Sequence, residues 1–228
     1  MNILVRGSKN QTEELEAKLK SVSCKLTCVD DFDLLVNANV HDYDVIFDLK
    51  FDEKSSQLKY FAGLKEIPVF VSAVKQSLAA AKFAFEGEIK CLLFGINSLP
   101  GFLNRSLAEI SLFNPDDANQ LRHWMLVLQW DYKLVSDRVG MVTPRVIFMI
   151  INEACYTLQE GTASMEDIDI SMKLGTNYPF GPFEWADKIG IRHVFETLEA
   201  IWMDTHDERY KICPLLKTKY LKGESFYP

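Results

Sequence analysis

The residues best placed to do chemistry begin at the first turn of the chain. Gly7-Ser8-Lys9-Asn10-Gln11-Thr12 follows the apolar run Ile3-Leu4-Val5. A dinucleotide fingerprint, G-x-G-x-x-G, needs one glycine for the tight turn, one for approach of the pyrophosphate and one for helix–strand packing. Only Gly7 meets that pattern, because Lys9 and Thr12 carry side chains at the other two positions. A side chain at the second position fills space that the pyrophosphate needs. Two features point the other way: Lys9 can pair with a phosphate, and the first amides of a helix are an anion site. Asp30 lies 23 residues after Gly7, where a carboxylate can accept from a ribose hydroxyl or sit in a solvated turn. Candidate cofactor-binding residues are therefore Gly7, Ser8, Lys9 and Asp30.

No metal set is expected. His41 is in a polar turn, His123 precedes Trp124, and His193 opens an amphipathic stretch. His206 stands among Asp204, Asp207 and Glu208, but no ligand spacing repeats there. Cys24, Cys28, Cys91, Cys155 and Cys213 sit in apolar or strand-like settings. An odd number of them, with no ligand spacing, reads as reduced thiols.

Short apolar strands must carry these residues. Strands are expected at 2–6, 25–29, 43–49, 69–72, 91–95 and 107–113, with a further short one at 131–136. Helices are expected at 13–20, where Leu15 and Leu19 are four apart, and at 55–64, 78–85 and 119–128. That alternation predicts a doubly wound parallel α/β sheet over residues 1–136, Rossmann-like and shortened. Residues 137–228 read as a smaller all-helical domain, with a linker near 138–143. Residues 145–160 are apolar on most faces, so that helix is buried in a core or between subunits. Pro144 can open it and Gly161 can close it. Ser164 can N-cap the next helix, with Asp167 and Asp169 in its first turn, Lys173 in its last and Gly175 ending it. Pro179 and Pro182 frame a bend, with Pro182 at the first position of a third helix.

The chain has 228 residues, 48% hydrophobic and 25% charged, with net charge −7. An acidic chain without a basic run argues against general nucleic-acid binding. No apolar run reaches the roughly 18 residues of a membrane span. The segment MNILVRGSKNQ has no secretory pattern, so the expected place is the cytoplasm.

The helical part is also specific as text. GTASMEDIDISMKLGTNYPFGPFEW, with Asn152-Glu153-Ala154, Asp187-Lys188-Ile189-Gly190, Asp207-Glu208-Arg209-Tyr210, Pro214-Leu215-Leu216 and Gly223…Phe226-Tyr227, resembles the C-terminal domain of the 3-hydroxyacyl-CoA dehydrogenases. The resemblance implies NAD as cofactor, an acyl-CoA substrate and a homodimer through the helical domain. It implies a His base, a Glu that orients it, and a Ser and an Asn that hold substrate. Phe94-Gly95-Ile96-Asn97-Ser98-Leu99-Pro100 lies over the family's Gly-x-His-Phe-x-x-Pro, so Asn97 stands at the His position. Glu109 stands at the orienting Glu position. Gln76 falls on the Ser, with Ser77 one residue away, and Pro144 falls on the Asn.

Of those four positions only Glu109 keeps the family's residue. Asn cannot titrate near neutral pH, and Pro offers no side-chain hydrogen bond. The expectation is a catalytically degenerate 3-hydroxyacyl-CoA dehydrogenase-like protein. Two alternatives stand beside it: an active enzyme with Glu109 as base, and a non-catalytic dimerising or regulatory subunit. A structural role stands equally beside these for Glu109, that of pairing with Arg105.

Overall fold

In the computed structural model, which describes residues 1–31 and 39–228, the chain divides into two units, Met1–Met141 and Val142–Pro228. The first is built on strands β1 (Asn2–Arg6), β2 (Lys25–Val29), β3 (Val45–Asp48), β4 (Pro68–Ser72), β5 (Leu92–Ile96), β6 (Leu107–Leu112) and β7 (Asp131–Leu134). Their order in the sheet is β2-β1-β3-β4-β5-β6-β7. Near-continuous apolar strands are what a sheet covered on both faces requires, and β3, β4 and β5 are buried at every position. Phe47, Phe70 and Phe94 run across β3, β4 and β5 at centroid spacings of 5.0 and 5.2 Å. Trp130 packs over Phe47 and Phe70.

Every strand pair is parallel except β5 with β6, which is antiparallel. Strand direction is a tertiary choice, and the apolar pattern of β6 is the same either way. Helix α1 (Lys9–Lys18) begins four residues before the expected 13, because Ser8 and Gln11 form a capping box ahead of it. The expected helix at 55–64 is a 3-10 turn, Ser55–Tyr60. Helices α2 (Leu78–Ala84) and α3 (Ala118–Leu128) fall where expected.

The second unit holds α4 (Thr143–Gln159), α5 (Met165–Thr176), α6 (Pro182–Ile189), α7 (Ile191–Thr205) and α8 (Pro214–Lys222). Pro144 lies in the first turn of α4, and Gly161 after it takes φ +72°. Ser164 caps α5 as expected, but that helix runs through Gly175 and ends at Asn177, whose φ is 55°. Asn is among the few residues besides Gly that enter the left-handed region at low cost.

One carboxylate organises the α5–α6 corner. Asp169, 2% exposed, accepts from the backbone N–H of Phe183 (2.9 Å) and Glu184 (3.1 Å) and from the Tyr227 hydroxyl (2.8 Å). It satisfies the first amides of α6 and lies favourably on that helix's dipole. A Cβ on Gly181 would lie 2.2 Å from Asp169 Cγ, so the glycine is what lets the carboxylate approach. Asp187 does the same for the tail, accepting from Phe226 N–H at 2.8 Å and Tyr227 N–H at 2.8 Å. Asn152, buried in α4, donates to Lys211 O and accepts from Cys213 N–H. Among the described residues no helix is long and apolar enough to cross a membrane.

These contacts give a graded expectation. Gly181→Ala is expected to lower stability by about 2–4 kcal/mol, since either Asp169 or the α6 entry must move. Gly161→Ala, with open space around it but φ +72°, should cost only about 1 kcal/mol. Urea unfolding followed by circular dichroism ranks the two, and equal costs would refute the steric role of Asp169.

Candidate active site

Parallel strands bring their carboxyl ends to one edge. β1, β3, β4 and β5 all finish there, and antiparallel β6 begins there. The candidate residues from distant parts of the first unit therefore gather along one side of the sheet. Gly7 and Ser8 follow β1, Gln76 and Ser77 follow β4, and Asn97 follows β5. The last β5–β6 pair is Ile96 with Ile110, so Asn97 and Glu109 are the next residues on each strand. Asp30 stands exposed after β2.

Each of these side chains has a defined partner or setting. Ser8 Oγ accepts from Gln11 N–H and the Gln11 amide oxygen accepts from Ser8 N–H. Lys9 is 87% exposed, 3.9 Å from Glu13. Gln76 Nε2 donates to Phe51 O at 3.0 Å. Ser77 caps α2, accepting from Ala80 N–H at 3.1 Å. Asn97 is 7% exposed and its Oδ1 accepts from Leu99 N–H at 3.3 Å. Glu109, half-buried, sits beside Lys133 in the β6–β7 register and pulls on the Arg105 guanidinium electrostatically. Pro144 lies in the other unit, within the first turn of α4.

Sequence reasoning missed the charged groups buried or half-buried at this edge. Arg6 and Asp48 are register partners at the ends of β1 and β3. Arg6 Nη1 donates to both Asp48 oxygens, at 2.7 and 2.8 Å, with the side chains 3% and 0% exposed. Asp52 accepts from Ser72 Oγ (2.6 Å), Val74 N–H (3.1 Å) and Lys75 N–H (2.9 Å). Asp137 accepts from Leu78 N–H and Ala79 N–H at the start of α2. Opposite charges embedded in two otherwise apolar strands, NILVR and VIFD, were the legible signal. Burial pushes the Asp52 carboxyl up to about 6, with the Ser72, Val74 and Lys75 hydrogen bonds pulling it back. Burial pushes the Asp48 carboxyl up, with the paired Arg6 guanidinium pulling the other way. Among the described residues no group of three His, Cys, Asp or Glu side chains is placed to hold a metal ion.

The edge thus holds carboxylates, amides and hydroxyls but no imidazole at the position assigned to the base. Its polar side chains are engaged with backbone groups, which is what holds strand-end loops in place.

Comparison with known proteins finds similarity to dehydrogenases. The sequence profile of the "3-hydroxyacyl-CoA dehydrogenase, C-terminal domain" family matches residues 140–225. A 3-hydroxyadipyl-CoA dehydrogenase of Escherichia coli is 40% identical over 109 residues, covering 47% of this chain and 23% of the relative. The chain therefore spans about a quarter of that relative's length. A 3-hydroxybutyryl-CoA dehydrogenase of Bradyrhizobium diazoefficiens is 27% identical over 228 residues, 97% of this chain and 75% of the relative. The crystal structure of (S)-3-hydroxybutyryl-CoA dehydrogenase from Ralstonia eutropha superposes with TM-score 0.75 at 19% identity, covering 97% of this chain and 93% of that one. At that identity the superposition speaks for the fold, a Rossmann-like sheet followed by helices.

The buried carboxyls generate a pH dependence. Asp52 keeps its proton to about 6 in the folded unit, against 3.8 in the unfolded chain. A raised pKa contributes stability that is fully present below pH 3.8 and is lost as pH rises through about 6. The stability of the wild type relative to Asp52→Asn is therefore expected to fall across that window. Urea midpoints of both proteins as a function of pH measure it, and a difference that grows with pH would contradict the burial of Asp52.

Proposed function

We propose, on the premise that the chain belongs to the 3-hydroxyacyl-CoA dehydrogenase family by its helical unit, that it is a non-catalytic member working as a dimerising subunit. The observation that carries this reading is Asn97. It stands where the resemblance puts the general base, it cannot titrate, and its carbonyl oxygen is held by Leu99 N–H. Removing a general base costs about 10²–10⁴ in rate. Gln76 and Pro144 stand where the substrate-holding Ser and Asn would be, and groups that act as a unit fail together. An acyl-CoA is the ligand class such a subunit would meet, in the cytoplasm, beside an active relative or alone.

A second reading has one observation in its favour. Glu109 is the residue next to Asn97 across the β5–β6 ladder, so a carboxylate is close to the base position. On that reading the chain is an active enzyme with Glu109 as base.

Turnover separates the two. Purified protein is expected to show no NADH-dependent loss of absorbance with acetoacetyl-CoA above background, and Asn97→His is expected not to restore it. Wild-type turnover that disappears in Glu109→Gln would establish the second reading instead.

The dimer is proposed through residues 136–228. Val146 (55% exposed), Ile170 (49%) and Leu174 (82%) leave apolar surface on α4 and α5. Partly exposed Met149 and Ile150 continue the α4 surface. Stable interfaces bury roughly 800 Å² per partner, and such surface supplies the apolar centre. Light scattering at micromolar concentration should give twice the 26.1 kDa chain mass. A monomer that persists to higher concentration would refute the dimer.

A further inference from the structure

The fold leads to the expectation of a dinucleotide, and this chain's residues do not fit one. In an open α/β sheet the ligand enters at the carboxyl edge, where strand order reverses. Here β1 pairs with β2 on one side and β3 on the other, so that point lies between β1 and β3. Four features of the geometry fill it.

The floor is an ion pair. Arg6 and Asp48 face each other across β1 and β3 with almost no exposure. The arginine's charge is already matched by a carboxylate, so it offers no free cation to a phosphate. The glycine cradle is occupied: a Cβ on Gly7 would meet Leu49 Cδ1 at 3.2 Å and Thr12 Cγ2 at 3.3 Å. The Leu49 and Thr12 side chains therefore close tightly over the first turn, where the fingerprint's first glycine stands. Gln11 spans the edge, with Nε2 donating to Leu49 O at 2.8 Å and Ser98 O at 3.0 Å. Ser98 Oγ donates to the same Leu49 carbonyl at 3.1 Å. Finally, side chains take several amides at the helix starts. Gln11 N–H is taken by Ser8, and the first amides of α2 by Asp137 and Ser77.

These contacts converge on one segment, residues 48–54. Arg6 reaches Asp48, Gln11 and Ser98 reach Leu49, and Gln76 reaches Phe51. Ser72, Val74 and Lys75 reach Asp52, and Lys54 reaches Asp31 at 2.8 Å. Donors from α1 and from the ends of β1, β4 and β5 all terminate on the chain that follows β3.

We infer that segment 48–54 is an internal occupant of the cofactor crevice, and that the protein takes no NAD(H) there. The side chains responsible are Leu49, with the Thr12 methyl beside it, Gln11 and the Arg6–Asp48 pair, rather than Lys9, which stands at the second fingerprint position. Lys9 points to solvent, and the Thr12 hydroxyl donates to Lys9 O. The inference rests on the family reading only for the expectation of a dinucleotide; the closure is read from geometry alone.

The test uses the full chain and NADH itself. Calorimetric titration is expected to give no saturable heat, and the melting temperature is expected to stay unchanged at about 1 mM NADH, where a ligand of micromolar affinity must raise it. Hydrogen exchange at the Val74 and Lys75 amides is expected to be identical with and without NADH. Saturable binding at micromolar concentration, or new protection at those amides, overturns the closure. Binding without acetoacetyl-CoA turnover would overturn it while leaving the non-catalytic reading standing. Turnover would overturn both.

Discussion

The helical unit depends on a carboxylate taken out of water and given three donors. Asp169 binds two amides at the head of α6, 14 and 15 residues further along the chain, and the hydroxyl of Tyr227, 58 residues further along. A buried carboxylate is costly unless its lone pairs are filled, and filling them here fixes the α5–α6 corner and the chain's tail together. Burial first, and then the Asp169 carboxylate, holds the proton on Tyr227 well past the ordinary phenol range. The Lys173–Glu184 pair at 2.6 Å closes the outer side of the same corner. The family text in this part of the chain is therefore largely a folding text. Asn152, Asp169, Gly181, Asp187 and Phe226 hold corners.

The same requirement, that a loop's amides find acceptors, shapes the first unit. Asp52 binds the loop after β4, Asp137 binds the start of α2, and Ser8 binds the start of α1. In an enzyme of this architecture the carboxyl edge leaves some of those groups for a ligand. Here they are given to other parts of the chain. That use of polar side chains holds the edge together, and two positions assigned to chemistry, Gln76 and Ser77, are bonded to backbone.

Much of this was legible. The spans of β1 and β2 read directly from their apolar runs, and Ser164 and Pro182 announced their helices by type and position. The early start of α1 was also written in the chain, as the Ser8-x-x-Gln11 capping pattern. The same six residues also span the glycine fingerprint, which masks the capping pattern. The antiparallel entry of β6 was not legible, because periodicity records which faces are buried and not the direction of travel. Nor was the Asp169–Gly181 contact, since twelve residues separate the pair and only the fold shows why that glycine has no side chain. Arg6 and Asp48 announced two buried charges. Their pairing needed the β1–β3 register.

The convergence on residues 48–54 changes which part of the first unit moves. Loops at a sheet edge ordinarily open on their own, at a small fraction of the global unfolding free energy, and so exchange first. Here a single loop receives donors from the ends of β1, β4 and β5, the N-terminal turn of α1 and the loop that follows β4. Freeing it means releasing all of them at once. By that count of shared bonds, the edge that is most pliable in a ligand-gated sheet is tied to the cooperative core of the first unit.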